Sequence, residues 1–248
     1  VTDRAKISQA GRDLVGQILR EVRMAGYKYV NDDIAASTSH NPIKITKGTG
    51  FKGTCDKLEI VYGGIIYDGT KPAGSRYSYT RYKITYECKA STIPDKSVAV
   101  LSTGGYPPIK AFALYKSKLV WDTNSKKWKN PDTDGNNKTY KEEIVLEYVS
   151  DLVFNAVDDN GYLIDPPPTP TNATKDKLYN IKIVDIALSV RSSKEFYRTS
   201  KLRELFAMTD TKRNQKNTDK FLRETIVVSA HARNLGLQWK IKTNKVLL

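Results

Sequence analysis

The sequence predicts an α+β fold in which one long amphipathic helix packs on mostly antiparallel β-sheet. Two patterns predict this class. Apolar residues recur at helical intervals over residues 3–26, and after Tyr27 the chain changes to stretches that alternate apolar with polar residues. Such alternation is typical of sheets with one buried and one wet face, which are mostly antiparallel. At 248 residues, the chain is long enough to bury a sizeable core.

The helix is predicted by apolar side chains at spacings of three and four residues. This stripe consists of Ile7, Ala10, Leu14, Ile18, Val22 and Ala25, and it is widened by Val15 and Leu19. The opposite face is charged and carries Arg4, Lys6, Arg12, Asp13, Arg20 and Arg23. For the last two arginines, pairing with acidic groups of a partner and simple solvation both remain open. Gly26 follows in the position expected of a glycine cap at a helix carboxyl end.

The strands are predicted by seven stretches rich in Val, Ile, Tyr and Thr. They cover residues 56–65, 75–90, 97–104, 111–122, 141–159, 179–193 and 222–235. Irregular loops are expected at residues 31–54, 165–176 and 207–220. The second of these contains four prolines, which exclude a helix or a central strand. We therefore expect two parts, a helix over residues 1–28 and a β-rich head over residues 29–248.

Charge and hydropathy limit the class of protein. Lys and Arg number 41 against 27 Asp and Glu, a net charge of +14 that favours anionic partners. No apolar run approaches 18 residues, so the sequence predicts no membrane span, and it shows no signal peptide. We expect that a leader or an anchor could have preceded residue 1.

The two cysteines, Cys55 and Cys88, do not have the spacing of a zinc site. We favour one disulfide in an exported protein. The alternative is two unrelated buried thiols.

Candidates for catalysis are few. The sequence holds two histidines, His40 and His231, and no nucleotide-binding, serine-hydrolase or metalloprotease motif. Ser229 and His231 would project from one strand face, but no acidic partner can be assigned to them. We therefore expect a protein that is not an enzyme and that needs no cofactor.

Calcium is the one metal that the sequence suggests. Asp132, Asp134 and Asn136 alternate around Gly135 and offer the oxygen ligands that calcium prefers. The EF-hand pattern fails here, because the glycine and the final glutamate are not in their places. A plain hairpin turn is the alternative interpretation.

Basic side chains are dense in two stretches, residues 116–140 and 195–220. Aromatic rings among lysines can stack on the bases of nucleic acid. The candidate residues for an anionic partner are Lys116, Lys126, Lys127, Trp128, Lys129, Arg198, Lys201, Arg203, Lys212 and Arg213. The alternative is a solvated basic surface with its aromatic residues in a sheet.

The opening stretch GRDLVGQILREVRMAGY, residues 11–27, resembles the part of the amino-terminal helix that follows the membrane anchor in PilW-type minor pilins of type IV pili. The matching signature is Arg23, Ala25, Gly26 and Tyr27. Further blocks resemble the same family in the same order, at residues 56–62, 82–89, 142–165, 181–193 and 222–234. The last block ends in the family's Arg-Asn pair, Arg233 and Asn234. The J-type minor pseudopilins of type II secretion are relatives of this family.

The resemblance implies a pilin-like fold and a non-enzymatic subunit that acts in filament assembly. Such a subunit is anchored in the inner membrane by a hydrophobic helix preceding this sequence. Its head is periplasmic and later becomes part of an extracellular filament. Its partners are other minor pilins and the major pilin, in a tip complex that primes polymerisation, and adhesion is a related role. We expect part of the apolar helix stripe to pack on the sheet and its amino-terminal end to bundle with neighbouring helices. The alternative is a tip subunit that binds DNA or a surface through residues 116–140 and 195–220.

Overall fold

The structure is a computed structural model that describes residues 2–27, 41–49, 54–129, 139–168, 180–205, 208 and 215–235. In these residues the chain forms one α-helix, α1 at Thr2–Met24. It also forms eleven strands, which are β1 Ile43–Thr46, β2 Lys57–Tyr67, β3 Tyr77–Ala90, β4 Phe112–Asp122, β5 Lys127–Lys129, β6 Tyr140–Val157, β7 Leu163–Ile164, β8 Ile183–Glu195, β9 Lys201–Leu205, β10 Gln215–Asp219 and β11 Phe221–His231.

One antiparallel sheet dominates the architecture. Its strands run in the order β1-β2-β3-β4-β6-β8-β11, with β5 added to β4 and β7 added to β6. Strands β9 and β10 form a separate antiparallel pair. Within the main sheet, each strand is a neighbour of one close to it in sequence. Short connections of this kind are what antiparallel sheets permit.

The predicted α+β class, with the long helix packed as a layer on the sheet, is wrong. The protein is mostly antiparallel β-sheet, and the sheet curls into a half-barrel. A helical stripe in the sequence shows that one face of the helix is buried. It does not show what share of the core the helix supplies, and here a curved sheet supplies most of it.

The helix adds one row of side chains to this core. Ile18 and Val22 are fully buried, and they belong to the same cluster as Leu58 of β2, Phe154 of β6 and Ile186 of β8. The helix contacts β8 and β11 at one edge of the sheet and β2 near the other. No helix in the described residues is long and apolar enough to cross a membrane.

Several strand predictions need correction. Residues 97–104 are not a strand but part of a loop that turns at Gly104 and Gly105, both with φ near +85°. The loops predicted at 31–54 and 207–220 contain strands β1 and β10. The four residues of β1, IKIT, do alternate apolar with polar side chains, but the polar sequence around them favoured a loop. Strand β10, QKNTD, has no apolar residue and therefore shows no alternation. Of the proline-rich segment, residues 169–176 lie outside the described residues.

The disulfide between Cys55 and Cys88 is confirmed, with 5.6 Å between the two Cα atoms. Cys55 lies just before β2 and Cys88 lies in β3, and both are buried. The bond links the start of one strand to the end of its neighbour. It therefore closes a long hairpin at the end away from its turn.

The residue after the first cysteine, Asp56, has a fully buried carboxylate. This carboxylate accepts hydrogen bonds from Lys47 Nζ at 2.7 Å, Gly48 N at 2.7 Å and Phe154 N at 2.8 Å. A buried carboxylate is stable only when it is paired and hydrogen-bonded in this way. The network fixes Lys47, Gly48 and Asp56 against β6.

Removing the disulfide should lower stability without changing the fold. The sequence separation is 33 residues, and the loss of loop-closure constraint corresponds to about 3–4 kcal/mol in the free energy of unfolding. We expect that loss in urea titrations of the double variant Cys55→Ala/Cys88→Ala. The native protein in reductant is the matched control and should lose a similar amount. A loss below about 1 kcal/mol in both would contradict this assignment.

Candidate functional site

The apolar stripe of α1 is the candidate site predicted for subunit packing, and the structure divides it in two. Leu14, Ile18, Val22 and Ala25 are buried in the core of this chain. Ile7 is half-buried and Ala10 is exposed. Only the amino-terminal part of the stripe is therefore free to contact another molecule. The charged residues Lys6, Arg12, Asp13, Arg20 and Arg23 are exposed, as predicted for the opposite face.

The carboxyl end of α1 is where two separate blocks of the pilin resemblance meet. The side-chain amide of Asn234 donates a hydrogen bond to the carbonyl oxygen of Arg23, at 2.7 Å. The two residues are 211 positions apart in the sequence. The helix end and the segment after the last strand of the sheet are thus joined by direct contact. The side chains of Arg23 and Arg233 are exposed.

Gly26 is the centre of this junction. Its φ of +71° is in the left-handed region that favours glycine. Its N–H donates to Val61 O at 2.9 Å, and Gly63 N–H donates to Tyr27 O at 2.7 Å. A Cβ atom on Gly26 would lie 2.6 Å from Leu235 Cδ2, so the side chain of Leu235 occupies the space that the missing Cβ leaves. The turn after the helix therefore locks onto β2.

A buried ion pair fixes the helix to the sheet one turn earlier. The carboxylate of Glu21 accepts hydrogen bonds from Lys116 Nζ of β4 and from Tyr86 Oη of β3, each at 2.5 Å. The side chain of Lys116 is 5% exposed and that of Glu21 is 17% exposed. Removing one partner of such a pair leaves an uncompensated buried charge, which is costly. The contact therefore fixes the register of the helix on the strands.

Burial raises the pKa of the Tyr86 phenol far above its ordinary value, and the charge of Glu21 raises it further. The same two causes raise the pKa of Tyr62 on the neighbouring strand. Both phenols therefore stay neutral at physiological pH. Tyr86 therefore donates its hydrogen bond to Glu21 as a neutral phenol and adds no charge of its own to the cluster.

Sequence reasoning missed this cluster, although the signal was present. Glu21 is three residues after Ile18 and four before Ala25, so it lies on the apolar face of the helix. Lys116 is two residues after the buried Leu114, so it shares the buried face of β4. A charge at a core position on each of two elements indicates a buried pair.

The basic residues predicted to bind an anionic partner differ in their exposure. Lys116 is buried on Glu21, so its prediction as a binding residue is wrong. Lys126, Lys127, Arg198 and Lys201 are exposed. Trp128 and Lys129 are half-exposed. The side chain of Arg203 and residues Lys212 and Arg213 lie outside what the structure describes.

The two tryptophans of the first basic stretch pack on each other. Trp121 of β4 is in register with Trp128 of β5, and their ring centroids are 5.2 Å apart. Lys83 Nζ lies 5.0 Å from the centroid of the Trp128 ring. These contacts occupy ring faces and a cation that the base-stacking interpretation would need to be free.

The calcium and catalytic candidates gain no support from the described residues. Asp132, Asp134 and Asn136 lie outside the described residues, as does His40. Within the described residues no group of three potential metal-ligating side chains occurs. Ser229 Oγ donates to Asp185 at 2.5 Å, while His231 is exposed at the end of β11. Ser229 is therefore bound to a carboxylate and not oriented by a histidine.

A groove of about 240 Å³ lies beside the free part of the helical stripe, between α1 and strands β6 and β8. Its lining combines apolar and charged residues, which are Lys6, Ile7, Ala10, Leu146, Glu147, Tyr148, Val190, Arg191 and Ser193. Strand β6 is irregular here. Its pairing with β8 shifts register between Val149 and Asp151, and Tyr148 has a φ of +60°.

No protein-family model matches the sequence, and no curated protein matches it. Among solved structures, the chain is similar to a type IV-like pilin from Thermus thermophilus. The similarity covers 92% of this chain and 96% of that chain, with 10% sequence identity and a TM-score of 0.48.

Replacing Gly26 should destabilise the junction. We expect Gly26→Ala to lower the free energy of unfolding by about 1–2 kcal/mol, because alanine disfavours a positive φ, and by more if Leu235 cannot move away. Gly16→Ala is the matched control, since Gly16 is in the same helix and a Cβ there meets nothing within 4 Å. It should raise stability by about 0.5–1 kcal/mol. Equal effects of the two substitutions in urea titrations would show that the junction does not constrain Gly26.

Proposed function

We propose that this chain is the head and adjoining helix of a pilin-like subunit of a type IV filament system. The proposed role is non-enzymatic. The subunit would act as a minor pilin or pseudopilin in assembly, as part of the complex that primes polymerisation at the filament tip. It would be anchored in the inner membrane with a periplasmic head before it enters the filament. Its partners would be other minor pilins and the major pilin.

The observation that carries this proposal is the junction at the end of α1. Two blocks that resemble the PilW-type family, one at residues 23–27 and one at residues 233–234, lie at opposite ends of the sequence. They are joined through Asn234 and Arg23, and Leu235 packs on Gly26. Sequence blocks that matched only by chance would have no reason to meet in the structure. Their contact supports the view that they belong to one inherited structural unit.

The exposure pattern of the helix supports the same role. Its carboxyl half is committed to the core through Ile18 and Val22, whereas Ala10 is exposed and Ile7 half-buried. A helix with one end embedded in a head and the other end accessible can pack against helices of neighbouring subunits. Packing of that kind requires small and apolar side chains on the contacting face, which Ala10 and Ile7 provide.

A second candidate function is a tip subunit that binds DNA or a surface through its basic stretches. The hairpin of β9 and β10 supports it, because this pair is separate from the main sheet and carries the exposed Lys201 and Leu202. The burial of Lys116 reduces the charge available on the other stretch. This function would require DNA affinity that falls steeply with salt.

A crosslinking experiment in the source organism tests the first role. We expect a photo-reactive amino acid at Ala10 of the full-length protein to give adducts with other pilin subunits. The matched control is the same substitution at Tyr162, which is 71% exposed and lies in a different part of the fold. Deleting the gene should remove surface filaments or filament-dependent secretion. Normal filaments and secretion in the deletion strain, with no pilin adduct at Ala10, would contradict the proposal.

A further inference from the structure

The groove beside the amino half of α1 has an excess of positive charge at its base. Arg191 of β8 lines it and is only 5% exposed. Its Nε has no hydrogen-bond partner among the described residues. A buried guanidinium normally has carboxylate or carbonyl acceptors, because an unpaired buried donor is costly.

Among the described residues, the groups around Arg191 leave its Nε without a hydrogen-bond acceptor. Arg223 of β11 is directly opposite it in the strand register, and like charges in that arrangement repel. The Asp219 carboxylate, which attracts Arg191 through space, is bound at both oxygens by Arg223, at 2.7 and 2.5 Å. The guanidinium of Arg191 lies instead over the Phe221 ring, with its Cζ atom 4.0 Å from the ring centroid. Burial, followed by the charge of Arg223, lowers the pKa of Arg191.

The other charged residues of the described lining leave this excess in place. Lys6 lines the groove and is exposed, so it adds a second positive charge. Among the described residues of the lining, Glu147 is the only acidic one, and it accepts a long hydrogen bond of 3.4 Å from Ser91. The Asp95 carboxylate attracts Arg191 through space, but its hydrogen bonds come from Ser97. The lining therefore carries two cations against one anion.

The size and polarity of the groove indicate what it can hold. At about 240 Å³ it is smaller than the roughly 300–1,000 Å³ typical of pockets for small molecules and cofactors. Its apolar walls, Ile7, Ala10, Leu146 and Val190, suit one or two aliphatic side chains. A nucleic-acid backbone would need a row of accessible cations. Of the two basic residues in the described lining, Lys6 is exposed and Arg191 is buried, so the groove does not offer such a row.

We propose that this groove is a docking site for an acidic segment of a partner protein, with one carboxylate received by Lys6 and Arg191 and a neighbouring aliphatic side chain seated on Ile7, Ala10, Leu146 and Val190. The carboxylate supplies the acceptor that the base of the groove lacks. Charge-assisted hydrogen bonds to a guanidinium are about twice as strong as neutral ones. This inference does not rest on the filament role, because the groove has this chemistry whatever the protein does.

A pair of peptides tests the proposal on the whole 248-residue chain. The probes are acetyl-Leu-Glu-Leu-amide and acetyl-Leu-Gln-Leu-amide, titrated at low salt and followed by amide chemical shifts in NMR. We expect the glutamate peptide to shift the amides of Ile7, Ala10 and Tyr148 and to bind with a dissociation constant of about 1 mM or lower. The glutamine peptide should bind about tenfold more weakly, because it lacks the charge.

Substitutions distinguish specific binding in the groove from the general attraction of an acidic peptide to a basic protein. Lys6→Gln should weaken the binding of the glutamate peptide about threefold. Ala10→Trp should abolish this binding, because the larger side chain fills the groove without disturbing the core. Arg12→Gln, on the exposed face of the same helix, is the matched control and should change nothing. Arg191→Gln should remove the preference for glutamate. If that variant fails to fold, Lys6→Gln and Ala10→Trp still test whether the peptide binds in the groove.

Three results would overturn the proposal. The first is equal binding of the two peptides. The second is the same loss from Arg12→Gln as from Lys6→Gln, which would show only general electrostatic attraction. The third is a DNA duplex that shifts the groove amides when neither peptide does, which would assign the site to nucleic acid.

Discussion

The position of α1 in the curled sheet is the constraint on which the rest of the structure depends. The helix is fixed at its carboxyl end by Gly26, whose N–H donates to Val61 O. One turn earlier it is fixed by the buried Glu21 and Lys116 pair. At its amino half it approaches the sheet closely at Gly11, where a Cβ atom would lie 2.6 Å from Ile226 Cδ1. These three contacts fix the rotation of the helix about its axis and its distance from the sheet. The rest of its surface follows from them.

The groove at the amino half of α1 is a consequence of that position. The helix continues past the tightly packed core, and strand β6 departs from regular pairing at the same level, with its register shift and the positive φ of Tyr148. Bulges bend a strand and increase its twist, and they are over-represented beside functional sites. Beside this irregular part of β6, Ala10 is exposed, and Arg191 Nε has no hydrogen-bond partner among the described residues. An accessible helix face and a charged groove thus have one structural cause.

The sequence predicted individual elements better than their assembly. The stripe of α1 identified Ile18 and Val22 as core residues, and alternation identified the long strands such as β3 and β8. The fold class was wrong because periodicity reports which face is buried and not how strongly a sheet curls. Strand β10, QKNTD, has no apolar residue and gave no pattern to recognise. Lys116 was misread as a binding residue because composition counts charges without placing them. The groove could not be predicted, since a bulge and a register shift depend on pairing between distant strands.

Native-state hydrogen exchange measures most directly whether the helix is an integral part of this fold. If the junction holds α1 as described, the amides of Gly26 and Gly63 should open only with global unfolding. They should then show the same free energy of exchange as the amides of the central strand β8. If Gly26 and the amides of α1 exchanged through a local opening of far lower free energy while β8 stayed protected, the helix would be a detachable appendage. That result would contradict the account.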